Sequence, residues 1–267
     1  MAGREDAEAL LLIHGFPTAS WDFEALFPAL VETHRVFAAD MIGFGFSDKP
    51  ADYAYSIAAQ ADLQEALLAA HGITSYLVLA HDYGDTVAQE LLARQSEPGE
   101  RPRMRGVAFL NGGLFPETHR PLLMQRLLLS PLGPIVTRLV TRASLARSLR
   151  SIFGPNTQPD DEFIDGAFQL VSHNRGVALV PKLFTYMRER RTHRERWVGA
   201  LQRAAIPLKL IDGAADPISG RHMVERYREL VPKADVTVLE GIGHYPQCEA
   251  PGAVLEAFSG WVEAIKP

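Results

Sequence analysis

Leu77-Val78-Leu79-Ala80-His81-Asp82-Tyr83-Gly84-Asp85-Thr86-Val87-Ala88 is the stretch whose reading decides the fold. An apolar run ends in a small residue, Asp82 follows two positions later, Gly84 two after that, and a helix-like pattern comes next. This is the layout of a sharp strand-to-helix turn that lifts one side chain above a parallel sheet. Small residues flank it because the turn brings two backbones close together. The lifted residue here is an aspartate. A carboxylate with an ordinary pKa of about 3.9 is ionised at neutral pH and needs no base to activate it. It can displace a leaving group from saturated carbon and form an alkyl ester with the protein.

Outward from that turn, short apolar runs alternate with helical patterns. Ala9–Ile13 reads as a buried strand that runs into His14-Gly15-Phe16-Pro17. Trp21–Leu30 reads as one amphipathic helix. Arg35–Asp40 is the next strand and leads into the turn-rich Gly43–Pro50. Ser56–His71 is helical and stops at Gly72. Tyr76–Ala80 is the strand before the turn, and Thr86–Arg94 the helix after it. Gly106–Asn111, Pro207–Asp212 and Asp235–Glu240 are three further strands, and Val254–Ile265 is a closing helix. Such alternation predicts an α/β fold, a mostly parallel sheet with helices on both faces. About ninety residues between the fourth and fifth strands carry helical periodicity and no strand pattern. The chain therefore divides into a core of residues 1–115 and 202–267 and a helical lid of residues 116–201, placed over the crevice at the carboxyl ends of the strands.

Composition narrows the function. The chain has 267 residues and a net charge of -5, which gives no electrostatic support to nucleic-acid binding. The single cysteine, Cys248, excludes an internal disulfide. No signal peptide or membrane span is visible, and Leu122–Val140, the most apolar region, is broken by Arg126, Pro131, Pro134 and Arg138. These features predict a cytoplasmic protein acting on a small-molecule substrate, and leave peripheral membrane contact and homo-oligomerisation open.

Together these motifs resemble the α/β-hydrolase family, in its aspartate-nucleophile branch of epoxide hydrolases and haloalkane dehalogenases, and within that branch the mesoderm-specific transcript group. The likeness covers nearly the whole chain. It rests on His14-Gly15-Phe16-Pro17, on Gly43-Phe44-Gly45-Phe46-Ser47-Asp48-Lys49-Pro50, on the residues around Asp82, and on Asn111–Pro121. It extends to Arg196-Trp197-Val198-Gly199-Ala200-Leu201 and His244-Tyr245-Pro246-Gln247. The resemblance implies Asp82 as nucleophile and His244, in the glycine-rich loop after the last strand, as the base that activates water. Asp216, after the fifth strand, suits the acid that orients the histidine. Asp212 competes with it, and Asn111, where some members of the family carry that acid, cannot hold a charge. The backbone N–H groups of Phe16 and Tyr83 form the expected oxyanion hole. The resemblance calls for no cofactor and no metal.

The leaving group divides the branch. Dehalogenases resembling this chain hold the halide with a tryptophan after the nucleophile and often an asparagine in the oxyanion loop, where this chain has Tyr83 and Phe16. Epoxide hydrolases polarise the ring oxygen with lid tyrosines. Tyr186 falls where the second of these is expected, whereas no tyrosine occupies the first part of the lid, leaving His119 or His173 as substitutes. Phe115–Pro121 reads as a hinge or solvated loop. Arg188–Trp197, with five arginines and two glutamates, reads as a solvated helix end.

The leading expectation is thus an epoxide hydrolase-like enzyme working through an Asp82 ester. A haloalkane dehalogenase or other carbon–heteroatom hydrolase is the alternative, and a non-catalytic ligand-binding protein with the same lidded pocket is a third. The family usually begins with an antiparallel strand pair that has no counterpart here. That predicts a sheet shortened to about six strands, or a start lying upstream, and an exposed sheet edge.

Overall fold

The structure, a computed structural model, describes residues 1–118, 137 and 140–266. Six strands form one sheet: β1 (Ala9–Ile13), β2 (Arg35–Ala38), β3 (Ser75–His81), β4 (Arg103–Leu110), β5 (Leu208–Gly213) and β6 (Asp235–Leu239). Their order is β2-β1-β3-β4-β5-β6 and every pairing is parallel. As expected, no antiparallel strand pair precedes β1 among the described residues. A single antiparallel bridge, Ala2 with Val36, lies on the β2 edge instead.

The apolar runs are explained by burial on both faces. Along β1, Ala9, Leu11 and Ile13 enter one core cluster, while Leu10 and Leu12 enter the other. Successive side chains alternate across a strand, so both sets must be apolar when neither face meets water. On the first face pack α2 (Ile57–Ala70) and α3 (Tyr83–Arg94); on the second pack α1 (Phe27–Thr33) and α11 (Pro251–Ala264). Ser56 caps α2 by accepting a hydrogen bond from the Ala59 amide at 3.1 Å.

Between β4 and β5 come α4 (Arg142–Arg150), α5 (Asp161–Ser172), α6 (Gly176–Leu183), α7 (Tyr186–Thr192) and α8 (Arg194–Gln202). Among the described residues this insertion is helical, as the periodicity predicts. It is tied to the core at its return. The Glu90 carboxylate on α3 accepts from Arg196 Nε at 2.7 Å, Arg196 Nη2 at 2.9 Å and Trp197 Nε1 at 2.7 Å, all on α8. The remaining helices are α9 (Arg221–Leu230) and the short α10 (Pro246–Glu249).

Two local expectations need correction. Trp21–Leu30 is not one helix; a 3-10 turn over Ser20–Phe23 precedes α1, which begins at Phe27 with Pro28 in its first turn. Proline is tolerated there because the first helical amides have no intrahelical partner, so it marks a start rather than an interior. The helix after the β3 turn begins at Tyr83 rather than Thr86, because the backbone reverses at one residue, Asp82.

Candidate active site

Asp82 has φ 48° and ψ -105°, in the left-handed half of backbone space that non-glycine residues rarely enter. Strain of this kind aims the side chain out of the sheet. The turn leaves no room for larger neighbours: a Cβ on Gly84 would lie 2.2 Å from the Ile13 carbonyl oxygen, and one on Gly15 would lie 2.4 Å from His81 Nδ1. Gly84 is therefore needed for close approach, which is the reason its position is readable in the sequence.

The loop after β1 reaches the Asp82 carboxylate. The Phe16 amide donates to Oδ2 at 3.1 Å, and the Tyr83 amide also faces the carboxylate. The two residues expected to furnish the oxyanion hole thus both present their amides to Asp82. The loop is held by His14, whose Nε2 accepts from the Met41 amide at 2.9 Å. Burial pushes the His14 pKa down to about 4, so its ring stays a neutral acceptor. The following turn is held by Asp40, which accepts from the Ser20 amide at 3.0 Å and the Phe46 amide at 2.8 Å.

On the other side stands His244. Its Nε2 lies 3.9 Å from Asp82 Oδ1, and its Nδ1 lies 2.7 Å from Asp216 Oδ2. Asp216 is held in turn by the Ile218 amide at 2.7 Å, the Ser219 amide at 3.1 Å, the Ser219 hydroxyl at 2.7 Å and Asn111 Nδ2 at 3.1 Å. Burial pushes the Asp216 carboxyl up, but the His244 charge and these bonds outweigh it and hold the carboxyl below its ordinary value. Burial likewise disfavours the charged form of His244. The adjacent Asp216 carboxylate and the more distant Asp82 carboxylate overcome it and raise the imidazole to about 9. Asp82 itself is raised from its ordinary value because burial exceeds the help it receives from His244, the Phe16 amide and Arg190.

Asp212, the competing acid, makes no bond to His244. Neither of its carboxylate oxygens has a partner among the described residues, and burial together with the Asp216 charge raises its pKa well above normal. Asn111, dismissed as an acid, has a structural part that sequence reasoning missed. Its amide bridges β4 to β5 by accepting from the Gly213 amide at 2.7 Å and donating to Asp216 Oδ2. An asparagine at a strand end, where a relative could carry an acid, is the signal that was available.

The lid closes the space above Asp82. Tyr186 on α7 is buried, with its ring centroid 4.7 Å from that of Tyr83. Arg190, one turn further along α7, is also buried, its Cζ 6.0 Å from the Tyr186 ring centroid. The stretch read as a solvated helix end is thus partly interior: Arg190 faces the site and Arg196 and Trp197 clamp Glu90. A run of charges hides this because period alone does not show which face a short helix buries. His173, by contrast, is exposed and packs on Phe46 at 4.9 Å, away from the site. His119 lies outside the described residues. In the Phe115–Pro121 stretch, Glu117 does not enter the pocket; it accepts from Arg194 Nη2 at 2.7 Å and Arg226 Nη2 at 3.1 Å.

A parallel six-stranded sheet, an aspartate on a strained turn after β3, and an acid and a histidine after β5 and β6 occur here in that chain order. The sequence pattern of the alpha/beta hydrolase fold matches residues 8–251. The chain belongs to the α/β-hydrolase family. As a hydrolase of this fold it is similar to the mesoderm-specific transcript protein of Mus musculus, with 42% identity over 267 residues, covering 97% of this chain and 79% of that protein. Among solved structures, the epoxide hydrolase CorEH superposes with a TM-score of 0.80 at 20% identity, covering 99% of this chain and 94% of that one. The haloalkane dehalogenase DbeA from Bradyrhizobium elkani gives 0.80 at 24% identity, covering 99% and 92%. At those identities the two structures speak for the fold of this hydrolase and not for its substrate. Among the described residues no helix is long and apolar enough to cross a membrane.

Proposed function

We propose that this hydrolase opens epoxides through an ester on Asp82. The observation that carries the reading is the geometry around Asp82: its carboxylate accepts from the Phe16 amide at 3.1 Å and faces His244 Nε2 at 3.9 Å, while the buried Tyr186 ring lies 4.7 Å from that of Tyr83, the next residue. Tyr186 is lifted well above the ordinary phenol value, first by burial and then by the Asp82 charge, against the pull of Arg190.

An Asp82 oxygen attacks a ring carbon, the carbon–oxygen bond of the epoxide breaks, and its electron pair goes to the ring oxygen. Ester formation removes the Asp82 charge, so the Tyr186 phenol becomes more acidic as the leaving alkoxide needs a proton. The same loss lowers His244, which releases its proton to solvent to become a neutral base and regains one when the Asp82 charge returns. Neutral His244 then takes a proton from water, whose oxygen attacks the Asp82 carboxyl carbon. Charge develops on the Asp82 oxygen beside the Phe16 and Tyr83 amides, where preorganised donors count most. Collapse releases the diol, and the proton freed in hydrolysis restores Tyr186. A non-catalytic binder would need none of this alignment. Where a halide-binding indole would stand, this chain has Tyr83, and Trp197 Nε1 is committed to Glu90.

The test is the His244→Gln variant. With an epoxide it should alkylate and stop, the intact mass rising by the substrate mass and the adduct mapping to Asp82. Wild-type enzyme in heavy-oxygen water should release a first product carrying ordinary oxygen from Asp82. Labelled first product and an unmodified variant would mean direct attack by water.

A further inference from the structure

The loop that carries His244 is held by the lid as well as by the core. The His244 amide donates to the Ile152 carbonyl at 2.8 Å, and Ile152 lies just after α4, in the lid. The His244 carbonyl accepts from His81 Nε2 at 2.8 Å, on the residue before the nucleophile. The amides on either side of His244 both donate to Glu249, Gly243 to Oε2 at 2.9 Å and Tyr245 to Oε1 at 3.0 Å. The same carboxylate accepts two shorter bonds from the segment between α4 and α5. These come from the Gly154 amide at 2.7 Å and the Thr157 hydroxyl at 2.6 Å, both to Oε2. Capping of the short α10 accounts for the Tyr245 bond and leaves the two lid bonds unexplained.

The seam between lid and base loop has no slack. A Cβ on Gly243 would lie 2.3 Å from the Ile152 carbonyl oxygen, and one on Gly154 would lie 2.1 Å from the Gly241 carbonyl oxygen. Glycine on both sides lets two backbones touch where side chains would part them. Phe153 and Tyr245 stack beside it, their ring centroids 5.3 Å apart. Asp216 bonds the His244 ring at Nδ1 and orients it, but it makes no bond to the backbone of the His244 loop. That backbone is placed by Glu249, Ile152 and His81. His244 Nε2 has to meet a water poised on the Asp82 carboxyl carbon, and a misplacement of about 1 Å costs about 10²-fold in rate. A carboxylate shared between the base loop and the lid therefore ties the placement of the base to the docking of the lid.

We propose that Glu249 is a positioning residue that makes the base conditional on the lid: His244 is in register with Asp82 only while Gly154 and Thr157 sit on the Glu249 carboxylate. This rests on His244 as the base of the second step. The first step, attack on carbon by Asp82, needs no base. Its proton donor, Tyr186, stands on α7, next to the α8 helix that Glu90 holds, and so does not depend on this seam. With the seam closed, water is activated and the ester is cleared; with it open, the ester persists.

The test separates the two steps. Thr157→Val removes one lid bond and touches nothing at the reacting centre, and Thr157→Ser restores the hydroxyl. Glu249→Gln sets an NH2 group against donors that need an acceptor. Styrene oxide and propylene oxide are the probes. Rapid quench and intact mass give the rates at which the Asp82 ester forms and decays, and hydrogen exchange is followed at the Gly243, His244 and Tyr245 amides. Thr157→Val should slow ester decay at least about threefold and Glu249→Gln at least about tenfold, as suits the loss of bonds to a charged acceptor, with ester formation unchanged in both. The three amides should exchange at least about threefold faster in Thr157→Val. Thr157→Ser should match wild type in both readings, a comparison that stands even if the glutamine variant fails to fold. A merely structural role would lower the melting temperature and slow formation and decay alike, and that outcome overturns the proposal. So does wild-type decay or wild-type exchange in Thr157→Val. If neither epoxide forms an ester on Asp82 in wild type or in His244→Gln, the proposed function fails, and amide exchange alone then decides whether the lid holds the His244 loop.

Discussion

The two walls of the site are built to different standards. On the core wall, Asp216 accepts five hydrogen bonds from Asn111, Ile218, Ser219 and His244, and little there is left to adjust. On the lid wall, Arg190 is as deeply buried but keeps two nitrogens without partners among the described residues. A saturated network has one low-energy arrangement, which suits a histidine that must stay aligned through two steps. On the lid wall the Arg190 guanidinium is held less tightly, its charge shared between Tyr186, Asp82 and Asp85.

Breaking the core wall should have the largest effects. Asp82→Ala should cut kcat by at least about 10⁴-fold, as removal of a nucleophile does. It should also raise the melting temperature. Burial raises the folded-state pKa of Asp82, so its ionised form destabilises the fold above its ordinary pKa, and this cost rises with pH. A melting curve and a steady-state assay on one preparation check both parts, and retained activity would end the assignment. Asp216→Asn should cost about 10²–10⁴-fold in kcat, with an ester on Asp82 building up because only the second step needs an oriented base. Quench-and-mass measurements would show the opposite, no ester, if Asp216 acted before carbon attack.

The lid wall should give smaller and more selective losses. Tyr186→Phe is expected to slow epoxide opening by about 10²-fold while leaving hydrolysis of a preformed Asp82 ester unchanged. Equal pre-steady-state rates of opening would return Tyr186 to a packing role. The smallest effect sharpens the comparison through pH. His244 is raised to about 9 in the folded protein from an ordinary value of 6.5. Its contribution to stability is therefore complete below about pH 6.5 and is lost as pH rises through about 9. His244→Gln should flatten the fall in melting temperature over that interval by a few degrees. The acidic limb of kcat should lie below the free-enzyme His244 value, since the base must be neutral and the ester state lacks the Asp82 charge. Identical limbs in kcat and kcat/KM would contradict the coupling.

The comparison also explains what was readable in advance. Strands buried on both faces announce themselves as apolar runs, and the turn at Asp82 announces itself through Gly84, because backbone proximity excludes a side chain there. Asp216 and His244 follow strand ends, where loop position is tied to topology. Arg190 was not readable. A single arginine among five in ten residues looks solvated until tertiary packing turns one face of α7 inward. Tyr186 and Arg190 are four residues apart, and so share a helix face, but that spacing carries meaning only once Gly113 is seen to make room, since a Cβ there would lie 2.1 Å from Arg190 Nη2. Asn111 was read for the charge it lacks and not for the two strands its amide can join.

The Glu90 clamp has a consequence for kinetics. Glu90 lies seven residues after Tyr83 on α3, about 10 Å along one continuous rod. That helix carries the nucleophile turn at its start and the return of the lid near its end. Arg196 and Trp197 cannot lift away without leaving the buried Glu90 carboxylate to Arg94 alone, whose Nε donates to it at 2.9 Å. Product must then leave by some path that does not swing α8 outward. Loosening the clamp, for example with Glu90→Gln, would exchange an anchored rear hinge for a second exit. It would speed product release while letting bulk water reach Asp82 from behind.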